Sequence, residues 1–204
     1  SLSDFTILGE EHGQLFLSSP LETPEVQQGE VDASGLGGAS LHASRSGIAC
    51  LVADDEEDAC FLVHEILSYL PDHNDAEPPF VATEDPITRL NEELETLVPD
   101  NPNRPYDMVK VVEEVVDDGE FLELFTNYAE NIIIGFARLN GRTIGIVGNQ
   151  PNVLAGCLDI DASIKAARFI RLCDAFNIPL VTFEDVPGFL PGVVQEWGGI
   201  IRHG

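Results

Sequence analysis

Basic side chains are scarce in this sequence. Its 204 residues include 10 lysines and arginines against 36 aspartates and glutamates, which gives a formal net charge of -26 at pH 7. Nucleic acids and anionic lipids are bound through cationic patches, which such a surface does not offer. We therefore expect the protein to bind neither nucleic acid nor an anionic membrane surface.

Long hydrophobic runs and leader segments are also absent. No stretch of about 18 uncharged apolar residues occurs, so no membrane insertion is expected. Ser1 opens neither a signal peptide nor a transit peptide, and the missing initiator methionine indicates a fragment or a processed chain. With 44% hydrophobic residues, the chain nevertheless has enough apolar side chains to build a core.

Cysteine is limited to four positions, Cys50, Cys60, Cys157 and Cys173. None forms a CxxC pair or a Cys/His cluster with metal-ligand spacing, so no metal site is predicted. All four lie in apolar or helical surroundings. We interpret them as reduced core residues in a reducing compartment.

The common catalytic signatures are missing as well. The sequence has no GxxxxGK[ST] phosphate loop, no GxSxG elbow, no HExxH, and no GxGxxG between a strand and a helix. His42 and His203 are interpreted as structural or exposed residues rather than catalytic ones. If the chain takes part in catalysis, backbone amides have to contribute much of it, as in an oxyanion hole.

The negative charge is confined to one part of the chain. Residues 1–130 hold 30 acidic side chains against four basic ones, whereas residues 131–204 hold six of each. Acidic surfaces remain soluble in concentrated salt, where charge is screened within about 3 Å. Our hypothesis is a salt-adapted organism, and the alternative is an acidic surface that faces a partner.

Proline is concentrated in one segment. Seven of the 13 prolines fall between residues 71 and 105, among acidic residues, which is typical of an extended connector. We predict a domain boundary near residue 83 and a short helix at 87–97. The elements predicted before the connector are strands at 5–8, 14–17 and 48–53 and a helix from Asp55 to Pro71.

The last third has the clearest periodicity. "NIIIGFARLNGRTIGIVGNQ", residues 131–150, predicts two strands joined by the turn Asn140-Gly141. After a helix predicted over 106–116, the order of strand, strand, helix, strand and helix indicates an α/β layer fold with a crossover. The later elements are a helix capped by Asp161 with an apolar stripe of Ile164, Ala167, Ile170 and Cys173, a strand at 180–183, and a helix from Val193 or Val194.

The stretch "FEDVPGFLPG", residues 183–192, directly follows the predicted strand. Ligands of open α/β sheets bind beyond the carboxyl ends of strands, and the amides at a following helix N-terminus attract anions. Gly188 allows close approach to a ligand, while Pro187 restricts the loop. We expect Phe189 and Leu190 either to wall an apolar slot or to fill the core.

Long runs of this sequence resemble one enzyme family. They are "LGGASLHASRSGIA" at 36–49, "YDMVKVVEEVV" at 106–116, and the whole of 131–204. The family comprises the carboxyltransferase (beta) subunits of propionyl-CoA and related acyl-CoA carboxylases, with the matching subunits of methylmalonyl-CoA transcarboxylase and decarboxylase. The resemblance covers nearly the whole chain.

The resemblance implies a crotonase-like α/β fold in two tandem domains. By this reading, residues 1–82 are the C-terminal part of the first domain, 83–105 are the Pro/acid-rich connector, and 106–204 are the N-terminal part of the second domain. It also implies active sites between domains of different subunits, in a homo-oligomer that is usually a hexamer.

The implied activity is transfer of a carboxyl group from carboxybiotin to the α-carbon of an acyl-CoA, with paired backbone amides stabilising oxygen-centred anions. Biotin would be carried by a biotin carboxylase or biotin carrier partner, in the cytoplasm, or in the mitochondrial matrix of a eukaryote. "DVPGFLPG" is similar to the propionyl-CoA type. The alternatives are a decarboxylase or transcarboxylase subunit and, in another class, a noncatalytic assembly or docking module.

The resemblance also implies site residues. Backbone amides of Gly188 and Phe189 would act in catalysis on the biotin side. The implied binding residues for acyl-CoA or biotin are Gly148, Asn149, Gln150, Val186, Pro187 and Leu190. The nearby cations Arg138, Arg142 and Arg168 would either face CoA phosphates or form structural salt bridges. The family's first-domain CoA segment and second-domain Gly-Gly-Ala-Tyr segment are not found here, so we expect this chain alone to be inactive.

Overall fold

The computed structural model describes residues 3–101 and 104–204, which group into two compact units. The first unit contains the described residues up to 66 together with 125–128. The second contains the described residues of 67–124 and 129–204. The division into two compact units is not a division into family domains. The domain boundaries at residues 82 and 105 therefore stay predictions.

The first unit is built on two short parallel strands, β1 (Ile7–Gly9) and β2 (Leu51–Ala53). Leu8, Ala39, Ala43 and Ala49 form its buried cluster. Mostly small core side chains allow short helices to pack closely. Its helices are α1 (Pro24–Gln27), α2 (Ala33–Gly37), α3 (Ala39–Ser44) and α4 (Glu56–Tyr69), the last of which ends in the second unit.

One strand predicted in the first unit is wrong. Residues 14–17 form no strand, because only Gln14 pairs with a partner, Gly38, through an isolated bridge. Leu17 is fully exposed, so the apolar alternation has no sheet to pack against. The strands predicted at 5–8 and 48–53 exist but are shorter, and the helix from residue 55 is confirmed.

The second unit contains a four-stranded sheet in the order β3-β4-β5-β6. Its strands are β3 (Phe121–Leu124), β4 (Ile132–Leu139), β5 (Arg142–Asn149) and β6 (Leu180–Phe183). β5 and β6 pair in parallel, whereas the other neighbours are antiparallel. The turn at Asn140-Gly141 is confirmed, with φ of 50° and 76°, as a hairpin with two left-handed residues requires.

Helices cover both faces of this sheet. α6 (Met108–Val115) places Met108 and Val112 in a cluster with Ile133 and Ile144. α7 (Ile160–Ala175) packs on the opposite face, where the ring of Phe169 lies 5.2 Å from that of Phe136. The other helices of this unit are α5 (Leu94–Leu97), shorter than the one predicted at 87–97, α8 (Val193–Gly198) and α9 (Ile200–His203).

The predicted start and buried face of α7 need correction. Its N-terminal cap is Asp159, whose side chain accepts from the Ala162 N–H, and not Asp161. Ile164 and Ile170 are 36% and 40% exposed and Ala167 is exposed, so only Cys173 of the predicted apolar stripe is buried. The buried residues are Ala162, Lys165, Ala166, Phe169 and Cys173. The prediction placed only apolar residues on the buried face, whereas the observed face includes Lys165.

The cysteines do not all lie in the core. Cys50 and Cys173 are buried and Cys157 is half-buried, but Cys60 is exposed, which corrects its predicted core position. Cys60 lies on the outer side of α4. All four are free thiols.

Within the second unit, Arg89 anchors the proline-rich segment to the end of α6. This guanidinium lies 2.6 Å from the Asp85 carboxylate. It also donates to the carbonyl oxygens of Glu114, at 2.9 Å, and Val116, at 2.7 Å, at the end of α6. The segment is therefore held in place although it contains little regular structure.

Candidate functional site

One edge of the four-stranded sheet brings together several polar residues of the second unit. β5 and β6 run parallel, with Gly148 opposite Phe183, so both strands end at this edge. β4 begins there, because Ile132 lies opposite Asn149. Residues that precede β4 and follow β5 and β6 are therefore brought together.

The segment that leaves β6 at this edge, residues 184–192, is an irregular loop, which we call the bend. Gly188 has φ of 139° and Gly192 has φ of 144°, values that side-chain-bearing residues rarely adopt. A Cβ added at Gly188 would meet no atom within 4 Å. Glycine is thus required at Gly188 by the backbone conformation, and the space beside it is open.

The 184–192 bend pairs with the segment that precedes α7. The Leu158 N–H donates to the Gly188 carbonyl at 3.0 Å, and the Leu190 N–H donates to the Leu158 carbonyl at 2.7 Å. This pairing leaves the N–H groups of Gly188 and Phe189 without a hydrogen-bond acceptor among residues 3–101 and 104–204. Two successive amides therefore have no internal acceptor among the described residues.

Tyr106 fixes the other end of the bend. Its hydroxyl donates to the Asp185 carboxylate, with 2.7 Å between the oxygens. Burial raises the pKa of Tyr106 to about 12, and the hydrogen bond and charge of Asp185 add to the effect. The phenol therefore remains protonated at neutral pH and keeps donating. The bend is held at both ends by contacts within the second unit.

The predicted binding residues at the end of β5 lie close to the bend but are buried. Asn149 is 6% exposed and Gln150 is 8% exposed. The Asn149 amide donates to the Gly156 carbonyl, and the Gln150 amide donates to Asp107 while accepting from the Met108 N–H. A Cβ on Gly148 would lie about 3.2 Å from Ile133. These side chains therefore serve internal hydrogen bonds and close packing.

The predicted residues of the bend itself are more open. Phe189 is 51% exposed and Val186 is 36% exposed, whereas Leu190 is half-buried and Pro187 is exposed. Phe189 therefore does not fill the core of the described chain. Its ring remains available to wall a ligand slot, as one of the two sequence readings expects.

The three arginines predicted either to face CoA phosphates or to form salt bridges lie in different environments. The Arg138 guanidinium lies 4.1 Å from the centre of the Tyr69 ring and donates to Ser68. Arg138 is thus a structural residue, whereas Arg142 and Arg168 are exposed. His42 is buried and bonds Ser46 and the Leu15 carbonyl in the first unit, which confirms its structural role. His203 is half-buried beside Arg202.

Sequence reasoning missed three residues that shape this edge. Asn131 precedes β4 and is 2% exposed, Asp159 caps α7, and Tyr106 bonds the bend. Nothing in their local sequence sets them apart from ordinary turn and cap residues. The partners of Asn131 and Tyr106 lie 26 to 79 residues away along the chain, and only the folded sheet brings them together.

Other kinds of site receive no support from the described part of the chain. Residues 3–101 and 104–204 contain no group of three His, Cys, Asp or Glu side chains arranged to hold a metal. Among the helices described there, none combines the length and apolar character of a bilayer-spanning segment. A cavity of about 670 Å³ lined by Asp85, Arg89 and Glu114 includes none of the predicted site residues.

Comparison with known proteins assigns the family. The Carboxyl transferase domain matches residues 1–204. The mitochondrial propionyl-CoA carboxylase beta chain of Sus scrofa is 51% identical over all of this chain and 38% of its own length. The methylmalonyl-CoA decarboxylase subunit alpha of Veillonella parvula is also 51% identical, over 40% of its length.

A solved structure agrees with both. The transcarboxylase 12S hexamer crystallised with methylmalonyl-CoA and methylmalonic acid is 46% identical and superposes with a TM-score of 0.94, over 99% of this chain and 39% of that one. The chain thus spans about two fifths of the length of these relatives. The fold predicted from the family resemblance, crotonase-like α/β, is confirmed. This chain belongs to the carboxyl transferase domain family.

Proposed function

We propose that this chain is part of the carboxyltransferase component of a biotin-dependent acyl-CoA carboxylase, with propionyl-CoA or another short acyl-CoA as the acceptor. The observation that carries the proposal is the pair of unoccupied amides at Gly188 and Phe189 beside open space. The pig relative at 51% identity supports the choice of propionyl-CoA.

The amides would act on charge that develops on oxygen during carboxyl transfer. Removing a proton from the α-carbon of a thioester, or releasing a carboxyl group, places negative charge on an oxygen atom. Fixed N–H donors aimed at that oxygen stabilise the transition state more than the ground state. Gly188 and Phe189 would supply such donors, and the Leu158 pairing and the Tyr106 hydrogen bond would hold them in place.

The partners follow from the same proposal. Biotin, carried on a biotin carboxylase or carrier subunit, would supply the carboxyl group. The solved relative is a hexamer, and we extend that assembly to this protein. The proposed location is the cytoplasm, or the mitochondrial matrix if the organism is a eukaryote.

Replacing Gly188 with valine in the full-length protein, assayed with its biotin partner, tests the function. Valine does not readily adopt φ near 139°, so the amides would move, and we expect carboxyl transfer to fall by about 10²-fold or more. Gly29→Val is the matched control, because Gly29 also has positive φ and open surroundings but lies in the first unit. An unchanged rate for Gly188→Val with normal assembly would instead support the assembly-module alternative.

A decarboxylase or transcarboxylase role is the second candidate, favoured by the Veillonella relative. The reactions share the same oxygen-centred charge, so the amides serve either direction. Two incubations of the protein with its biotin partner distinguish them, one with methylmalonyl-CoA and no ATP, the other with propionyl-CoA, bicarbonate and ATP. Net release of carbon dioxide identifies a decarboxylase, whereas ATP-dependent formation of methylmalonyl-CoA identifies a carboxylase.

A further inference from the structure

We propose that Asn131 and Asn149 act together as positioning residues, which set the place of the Gly188 and Phe189 amides through the backbone of residues 156–158. The catalytic part of this inference rests on the proposed function. Its structural part, a connection between the sheet and the bend, is independent of what the bend binds.

Asn131 is the first member of the pair. It is 2% exposed, and its side-chain amide donates to the Cys157 carbonyl at 2.8 Å and to the Asp159 carboxylate at 3.2 Å. Its own carbonyl accepts from the Gln150 N–H at 3.0 Å, which ties it to the end of β5. Asn131 is thus fixed on the sheet side and holds the segment before α7 with its side chain.

Asn149 holds the residue that precedes Cys157. Its side-chain amide donates to the Gly156 carbonyl at 3.0 Å, and it is 6% exposed. Asn149 lies opposite Ile132 across the β4–β5 pair, directly beside the position of Asn131. Two neighbouring amides at one sheet edge therefore hold two successive carbonyl groups, which fixes both the place and the orientation of that backbone.

The next residue carries this constraint to the bend. Leu158 follows Cys157 and makes both backbone hydrogen bonds to the bend, one with Gly188 and one with Leu190. Among the described residues, these are the only backbone hydrogen bonds that reach residues 185–191 from outside the bend, because the Glu196 N–H bonds the Gly192 carbonyl at its far end. A shift of residues 156–158 would therefore move the peptide groups on either side of Phe189.

Gly156 shows how closely the two segments approach each other. It has φ of 77°, and a Cβ added there would lie 2.9 Å from the Asp185 carbonyl oxygen. A larger residue would push the 156–158 segment away from the bend. The close approach and the two side-chain hydrogen bonds restrict where residues 156–158 can lie relative to the bend.

The alternative is that both asparagines only stabilise the fold. Buried amides are commonly retained because an unpaired donor or acceptor is costly. That alternative predicts a general loss of stability, whereas positioning predicts a local effect at the bend with acyl-CoA affinity retained.

The experiment compares Asn131→Asp and Asn149→Asp with the parent in the full-length protein. Each substitution keeps the side-chain shape but replaces the donating nitrogen with an oxygen that faces a carbonyl group. Asn177→Asp is the matched control, because the Asn177 amide also donates to a backbone carbonyl, that of Asn74 at 2.7 Å, but does so away from the bend. Hydrogen exchange of peptides covering 154–160 and 185–191 reports the coupling without reference to activity.

Positioning predicts faster exchange, by about tenfold or more in both variants, of the hydrogen-bonded Leu190 amide within 185–191, with the β4–β5 hairpin unchanged. It also predicts kcat for carboxyl transfer lower by about 10- to 100-fold, with KM for the acyl-CoA within about threefold of the parent. Asn177→Asp should alter none of these quantities. If Asn131→Asp does not fold, the result for Asn149→Asp decides.

Unchanged exchange at 185–191, or exchange that rises equally throughout the second unit, would overturn the proposal. Faster exchange at the bend together with an unaltered kcat would overturn its catalytic part. Failure of the proposed function appears differently, as a Gly188→Val protein that transfers carboxyl groups at the parental rate.

Discussion

Lys165 is a buried cation on the face of α7 that packs against the sheet, with 4% of its surface exposed. Its ammonium group donates to the Ile132 carbonyl at 2.8 Å and to the Ala129 carbonyl at 3.4 Å. Burial lowers the pKa of Lys165 to about 8, although the charges of Glu123 and Glu130 oppose the shift. The residue thus supports the chain immediately around Asn131.

The lowered pKa of Lys165 predicts a pH dependence of stability. The unfolded lysine keeps its proton up to about its ordinary pKa of 10.5, whereas the folded one releases it near 8. Because the unfolded state binds more protons in this window, stability rises with pH between these values. We expect the unfolding free energy of the parent, minus that of Lys165→Met, to increase by up to about 3 kcal/mol from pH 8 to 10.5.

Denaturant unfolding at a series of pH values measures this difference. Burial raises the pKa of Cys173 to about 12, which lowers stability at alkaline pH, but this effect is common to both proteins and cancels. Lys110→Met is the control, since Lys110 is exposed. A pH-independent difference for Lys165→Met would contradict the assignment.

Among the elements, the β4–β5 hairpin offers a test of backbone constraint. Gly141 has φ of 76°, and a Cβ there would lie 2.2 Å from the Val81 carbonyl oxygen. Gly119 has a similar φ of 70°, but its nearest atom would be 3.5 Å away. We expect Gly119→Ala to cost about 1 kcal/mol from backbone strain, and Gly141→Ala at least about 1 kcal/mol more from the clash.

Thermal and denaturant unfolding of the two variants checks this expectation. Equal losses of stability would mean that the proline-rich segment near Val81 moves away without cost. In that case the contact of this segment with the hairpin would not contribute to the stability of the fold.

The elements that sequence predicted well are those specified locally. The hairpin and β6 follow from uninterrupted apolar runs and a two-residue turn, so their bounds are close to those predicted. β3 was missed because "FLEL" is a short run whose strand character depends on pairing with β4. The strand predicted at 14–17 does not form, because no neighbouring strand pairs with this segment beyond the single bridge at Gln14.

The candidate site was predictable only in part. The glycines and prolines of the bend indicate an unusual backbone conformation. The family resemblance implies that its amides stabilise an anion. Asn131, Asn149 and Tyr106 contribute through contacts between distant parts of the chain. No local pattern shows which carbonyl a buried amide will reach, so these roles required the folded structure.

At the scale of the whole molecule, the net charge of -26 is the dominant feature. Mutual repulsion of acidic side chains destabilises the folded state, and salt reduces it as the Debye length falls from about 10 Å at 0.1 M to about 3 Å at 1 M. If the protein is salt-adapted, we expect its melting temperature to rise by several degrees over this range of KCl. Most of the gain should come from residues 1–130, which carry 30 of the 36 acidic residues.

Differential scanning calorimetry in KCl measures the effect. A variant with several exposed glutamates of the first 130 residues changed to glutamine should be less sensitive to salt. A melting temperature that falls as salt is added would contradict salt adaptation and would favour an acidic surface that faces a partner.

The groups proposed to bind anions at the bend are main-chain N–H groups. This affects both the pH dependence of the reaction and the substitutions that the bend can tolerate. Peptide amides do not ionise in the physiological range, so this part of the reaction would add no limb to a pH–rate profile. Substitutions at the neighbouring side chains leave the donors in place, provided that the backbone keeps its path. Selection at this bend would therefore act on torsion angles rather than on functional groups, and the most damaging replacements would be those of glycine and proline.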